Sequence, residues 1–370
     1  MASGAGMRGL LRMSVALSSC LPALAWSAGF TALGMPGSQL LALSRDGRAG
    51  AGSLVGASSG GFRWSEAHGI QSLPGAMSVR GMSASGRYVA GSSIDAEQRE
   101  VASYWNADGQ LVRIGGLPDT TWQGGLVSVA FGISDEPRVV GFANDPEQHS
   151  MAFEWTADRG MHALPLPADA KAAHAGGLSD DGRHVYGWVE SASGSRRGVV
   201  WHDGAPTVLA SGSAAAGEVL GGNRDLTVLL GIDVPPGAVD LAYRWRADAG
   251  VQPLKPAAAL PSPPRLFVSS DDGHVLAGSA GSGANRVALV WTQSTGLRPL
   301  RRWLAERGVA VPDGWTLAAA TGISGDGRRI GGWGQHDGHF DSFVVDLPDA
   351  PPAASAAAAS SAAAKAQRPD

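Results

Sequence analysis

The densest group of ionisable side chains in the sequence is His336-Asp337-Gly338-His339-Phe340-Asp341. Two imidazoles and two carboxylates in one short segment are a donor set for zinc or another divalent ion. Their spacing around a central glycine fixes no ligand geometry. We read the segment as a polar loop and assign no metal and no cofactor. The remaining histidines are scattered singly. The sequence has no Walker loop and no His-Glu-x-x-His pair, and no catalytic residue is assigned. Large aromatic side chains remain. Phe142, Trp188 and Trp333 each directly follow a glycine, and Trp122 and Trp315 fall in the two longest inter-strand loops. Aromatic faces on a loop surface stack on sugars or apolar ligands. These five residues are therefore the candidate ligand-binding positions.

The elements that must position them come from an internal repeat. A serine, a tight turn and a short alternating run ending in glycine occur as Ser44-Arg-Asp-Gly-Arg-Ala-Gly-Ala-Gly52 and Ser83-Ala-Ser-Gly-Arg-Tyr-Val-Ala-Gly91. Further copies start at Ser134, Ser179, Ser270 and Ser324, with a degenerate one at Asn223 that loses the Asp-Gly pair. Ser44 and Ser324 are six intervals apart, about 47 residues each. A second landmark follows each glycine, an aromatic or apolar residue and then tryptophan: Phe62/Trp64, Tyr104-Trp105, Phe153/Trp155, Val199/Trp201, Tyr243/Trp245 and Leu289/Trp291. The seventh copy has Phe343 and then Val345 in place of tryptophan. An apolar residue closes each unit: Leu73, Ile114, Leu164, Leu209, Leu254 and Leu300.

Each repeat reads as four short strands, A to D. Asp-Gly supplies the positive φ of tight hairpins, and period-two alternation supplies half-buried strands. The tryptophans, recurring at one strand position, read as core. The aspartates read as turn formers. Glycine is 53 of 370 residues, about twice the usual ~7%, which excludes a helical bundle. The expected fold is all-β, a seven-bladed β-propeller of four-stranded antiparallel blades. The last repeat lacks strand D, and Phe30 to Gly37 looks like an orphan strand D that closes the ring.

These landmarks resemble the HAF family of bacterial extracellular repeat proteins. Ala152-Phe153-Glu154-Trp155 and Ala242-Tyr243-Arg244-Trp245 match its Ala-Phe-x-Trp strand, and Leu33-Gly34-Met35-Pro36-Gly37 its Leu-Gly-x-Leu-Pro-Gly turn. The resemblance covers about residues 30–348. It implies a secreted propeller-like fold and carries no established activity.

The N-terminus reads as a secretory signal over residues 1–25, with Arg8 and Arg12 before an apolar run from Met13 to Leu24 and a small-residue cleavage site at Ala25. The alternative is a lipoprotein anchored through Cys20, the single cysteine. The propeller then spans 26–348, and 349–370 reads as a disordered Ala/Ser/Pro-rich tail. The run is too short to span a bilayer. The net charge of −4 and the absence of a basic cluster exclude nucleic acid as a partner. The expectation is an exported monomer, periplasmic or extracellular. It binds a ligand, glycan or protein on the face that carries the variable B–C and D–A loops. The alternatives are a propeller hydrolase or lyase acting on polysaccharide, or a structural envelope or adhesion component. Converging acids at the channel mouth would favour the enzyme, and an apolar or aromatic ring without acids would favour binding.

Overall fold

The computed structural model describes residues 29–56, 60–118, 125–211, 214–215, 217–233, 241–256 and 259–348. The proposed signal segment, Cys20, the Ala/Ser/Pro-rich tail and Trp122 lie outside the described residues.

The described strands, in chain order, group into four-stranded antiparallel sheets. The first is β2 (Ser38–Leu43), β3 (Ala49–Leu54), β4 (Gly60–Ser65) and β5 (Gly69–Leu73), preceded by β1 (Gly29–Ala32). The second is β6 (Ala76–Met82), β7 (Val89–Ile94), β8 (Glu100–Trp105) and β9 (Leu111–Gly115). The third is β10 (Ser128–Ile133), β11 (Val139–Asn144), β12 (Ser150–Thr156) and β13 (Gly160–Ala163). The fourth is β14 (Ala170–Leu178), β15 (His184–Ser191), β16 (Arg196–His202) and β17 (Ala205–Val208). A small hairpin follows, β18 (Ala210–Ser211) with β19 (Ala214–Ala215).

An eight-stranded sheet comes next. It is two such units joined through one parallel bridge, Gly222 to Val268. One unit is β20 (Val219–Gly222), β21 (Val228–Asp233), β22 (Leu241–Arg246) and β23 (Gly250–Pro253). The other is β24 (Arg265–Ser269), β25 (Val275–Ala280), β26 (Val287–Thr292) and β27 (Gly296–Pro299), leading into α1 (Leu300–Ala305). The last sheet is β28 (Trp315–Ile323), β29 (Arg329–His336), β30 (His339–Asp346) and β1, with Phe30 opposite Val345. The chain is a β-propeller. Each inner strand packs on the sheet before it, and β2 packs on β28, β29 and β30.

The repeat serine and aspartate build the A–B turn. Ser44 Oγ donates to Asp46 Oδ1 at 2.6 Å and accepts the Ala49 N–H at 2.9 Å, while Asp46 Oδ1 accepts the Arg48 N–H at 2.9 Å. Gly47 takes φ +72°. The same bonds recur at Ser179/Asp181, Ser270/Asp272 and Ser324/Asp326. The aspartates are turn formers, as the sequence suggests. The fifth copy is less degenerate than its sequence implies. Asp225 Oδ1 still accepts the Thr227 N–H at 3.0 Å, and Leu226 takes the left-handed φ of +57°.

The second repeat glycine corrects the reading that it ends strand B. Gly52, Gly91, Gly141, Gly187, Gly231, Gly278 and Gly332 lie inside their strands. Every inner strand carries a β-bulge opposite this glycine, shifting the register at Leu40/Ala42, Val79/Gly81, Ala130/Gly132, Ala175/Gly177, Val219/Gly221, Leu266/Val268 and Ala320/Gly322. A Cβ on the glycine would collide with an inner-strand carbonyl oxygen, such as that of His174 for Gly187 or Gln39 for Gly52. Glycine is required here because the bulge drives a backbone carbonyl against it.

The core lies between sheets. One cluster joins the first and second units (Leu73, Val79, Trp105), another the third and fourth (Val140, Val199, Trp201), another the last and first (Leu40, Phe62, Val344). The strand C tryptophans pack in these layers. Trp105 Nε1 donates to the Pro74 carbonyl at 2.9 Å and Trp201 Nε1 to that of Pro165 at 2.8 Å. In the last unit, Val345 occupies the tryptophan position, and Trp303 of α1 and Trp315 fill the same layer.

Candidate ligand site

The bulges that demand glycine also build an axial cavity. The extra residue in each inner strand is Leu41, Arg80, Phe131, Gly176, Leu220, Phe267 or Thr321, and all seven line one cavity of about 740 Å³. That volume is within the range of small-molecule sites. Trp333, Met77 and Arg286 add to its wall. Arg80 lies over the Phe131 ring at 5.6 Å and Arg286 over Trp333 at 5.4 Å. Thr321 Oγ1 is turned away, donating to the Leu40 carbonyl at 2.6 Å.

The turn end of the cavity carries charged residues. Asp180 and Arg224, each one place after a repeat position, line it there, and adjoining turns are linked: Arg45 N–H to the Ala84 carbonyl at 2.7 Å, Gly325 N–H to the Arg45 carbonyl at 2.7 Å and Asp271 N–H to the Gly325 carbonyl at 2.8 Å. Arg45 Nη2 pairs with Asp271 at 2.8 Å and Arg224 Nη1 with Asp180 at 3.5 Å. Arg224 Nη2 also donates to the Leu43 carbonyl at 2.9 Å. Burial lifts the Asp180 carboxyl above its ordinary range against the pull of Arg224. Asp180 is the one carboxylate among the described residues that line the cavity.

The five candidate positions separate. Phe142 is buried and belongs to a stack that runs from the third unit into the fourth. Its ring lies 4.2 Å from that of His174, which lies 4.3 Å from that of Trp188, both pairs at 17°. Arg196 covers the far side of Trp188 at 4.0 Å and is itself tied to Glu190 and Glu218. Burial, then the Arg196 charge, push the His174 imidazole down to about 4. The stack is an inter-sheet packing element. Trp333 is 7% exposed and lies beside Phe340 at 5.5 Å. Of the four described candidates it alone lines the axial cavity.

Trp315 corrects the loop assignment. It is 4% exposed, opens β28, and contacts Phe30 at 5.0 Å and His336 at 4.9 Å. The strand begins at Trp315, earlier than the alternation predicts, so the preceding loop is shorter than the spacing implies.

The ionisable loop resolves into a hairpin. Asp337 and Gly338 take positive φ and His336 pairs with His339. Asp341 accepts the N–H groups of Met35 at 3.1 Å and Ser342 at 2.7 Å. A second group, Asp145, Glu147 and His149, comes within chelating distance on the third unit's B–C turn. Asp145 there accepts the His149 N–H at 2.7 Å. The matching turn of the second unit has Arg99 in place of His149, bound to Asp95 at 2.8 Å. Both are turns held by an aspartate and a basic residue.

The cavity-lining residues were not identified from sequence, although a signal exists. Each bulge residue stands three places before the repeat serine, and each axial turn residue one place after it.

No family model matches the chain, and no curated protein matches it. Solved structures do. An oligogalacturonate lyase in complex with manganese is 12% identical, with a TM-score of 0.54, 86% of this chain and 93% of that one being covered. A prolyl endopeptidase is 13% identical with a TM-score of 0.52, covering 85% of this chain and 51% of that one. TolB from Acinetobacter baumannii is 12% identical with a TM-score of 0.46, covering 70% of this chain and 62% of that one. The chain thus spans less than two thirds of the last two. At these identities the likeness is one of fold.

Proposed function

We propose that this protein is an exported, non-enzymatic β-propeller of seven blades, closed by β1, that binds a ligand in its axial cavity from the variable-loop face. The observation that carries the reading is the cavity wall. Its bulge residues are mostly apolar or aromatic, and no histidine among the described residues lines it. Its one carboxylate is held by Arg224 at the turn end. General acid–base chemistry needs a pair of groups with separated proton affinities within reach of one substrate, and the described wall supplies none. The rigid sheets, with binding groups on inner strands and loops above them, suit recognition. The repeat landmarks support a place among HAF-type extracellular proteins.

The test fills the cavity. Leu220→Trp adds an indole to the wall at a half-buried position. Glycan and peptide arrays, followed by calorimetry of hits, should show binding by the wild type and its loss in L220W at an unchanged melting temperature. Hits that bind L220W as well as wild type would place recognition outside the cavity.

A further inference from the structure

We propose that the cavity selects a small anion carried on a planar or apolar body, with Arg80 and Arg286 as its anion-holding groups; this rests on the binding reading above. Among the described residues three guanidinium groups reach the wall, Arg80, Arg224 and Arg286, against the single carboxylate of Asp180. Arg224 and Asp180 satisfy each other at the turn end. The wall is left with two positive charges, in a protein whose net charge is −4. A low-dielectric cleft lined by one sign of charge concentrates ligands of the other.

The placement of the two side chains supports the same reading. Arg80 is a bulge residue, so its strand aims it at the axis. Arg286 follows a short 3-10 turn, Gly283–Asn285, at the B–C end of its blade. Neither pairs with a carboxylate among the described residues. Each guanidinium instead lies over an aromatic ring. A guanidinium held over a ring face by its charge keeps N–H groups available for two parallel bonds to a carboxylate, sulfonate or phosphate. Leu41, Leu220 and Phe267 line the same cavity. They give an apolar surface to the rest of the ligand.

The probes are 1-anilinonaphthalene-8-sulfonate and N-phenyl-1-naphthylamine, the same ring system without the sulfonate, titrated by fluorescence into the full-length protein. The sulfonate dye should saturate a single site and bind about tenfold more tightly than the neutral dye. Arg80→Met and Arg286→Met should each weaken the sulfonate dye about tenfold and leave the neutral dye unchanged. Arg80→Lys should retain part of the affinity, and about 0.5 M salt should weaken only the sulfonate dye. Thermal unfolding of each variant verifies that it folds. Equal binding of the two dyes, unchanged sulfonate binding in both methionine variants, or no saturable binding of either dye overturns the proposal. If the neutral dye binds, is blocked by Leu220→Trp and gains nothing from the sulfonate, the anion assignment fails and the cavity reading stands. Sulfonate binding that persists in L220W at full affinity defeats both.

Discussion

The side chains that first draw attention in this sequence are rings, and most of them hold sheets together. His174, between Phe142 and Trp188, shows the energetic consequence. Burial and the Arg196 charge lower its pKa to about 4 in the folded state, against an ordinary value near 6.5. The unfolded chain therefore takes up the proton first. Stability should be independent of this group above about pH 6.5 and fall as the pH drops toward 4, by roughly 3 kcal/mol in total. His174→Phe keeps a ring in the stack and removes the titration, so urea midpoints of the variant should lose this part of the pH dependence. The repeat glycine is a second residue-scale determinant. Gly187→Ala should destabilise by about 3 kcal/mol, because its Cβ meets the His174 carbonyl. Gly69→Ala, at φ +64° with open space around it, should lose only about 1 kcal/mol. Equal shifts in denaturant midpoint would refute the distinction.

At the scale of elements, the seam between the last sheet and the first depends on one buried cation. Arg329 on β29 pairs with Asp346 through two bonds of 2.6 and 2.9 Å, and also reaches Glu66 and the Gly47 carbonyl, both on the first blade. Its side chain is 6% exposed. Removing one partner of a buried ion pair costs about 3–5 kcal/mol, since the remaining charge stays desolvated. Arg329→Met should lower the unfolding free energy by about that amount, and adding Asp346→Asn should recover part of it. A loss below about 1 kcal/mol would mean that the seam is held by its apolar contacts and its other hydrogen bonds without help from Arg329. The same junction shows how far strand signals carry. The tryptophan missing at Val345 was visible in the sequence, but its replacement by Trp303 and Trp315 was not. Those two residues lie far from Val345 along the chain, and only the return of β28 beside α1 brings them into one layer.

At the scale of the whole molecule, the two ends of the axis divide the work. The turn end carries the Arg45–Asp271 and Arg224–Asp180 pairs, Arg80 and Phe131 stand at the level of the bulges, and Arg286 stands at the B–C end. Arg45 is more than half exposed, so its pair contributes little, about 1 kcal/mol or less. Arg45→Met should lower the melting temperature by no more than about 4 °C and leave dye affinity at the mouth unchanged. A large loss of affinity in this variant would show that the two ends are coupled.

The sequence alone determined what is local and repeated. The serine–aspartate–glycine turn is satisfied by bonds within five residues, so each copy declares itself wherever the chain goes. The strand C tryptophans likewise mark one position in each unit. Tertiary structure decided which residues meet on the axis. The sequence holds the positions at fixed offsets, three before and one after the repeat serine, but not their direction. A bulge is a mismatch between two paired strands, and period-two alternation within one strand does not reveal it. Leu41, Arg80, Phe131, Gly176, Leu220, Phe267 and Thr321 share a cavity because each bulge turns one residue inward and the sheets are arranged around one axis. Of the aromatic residues chosen by type, Phe142, Trp188 and Trp333 lie one strand further out, where Phe142 packs against His174 of the next blade, Trp188 stacks on His174 within its own blade, and Trp333 is left on the cavity wall.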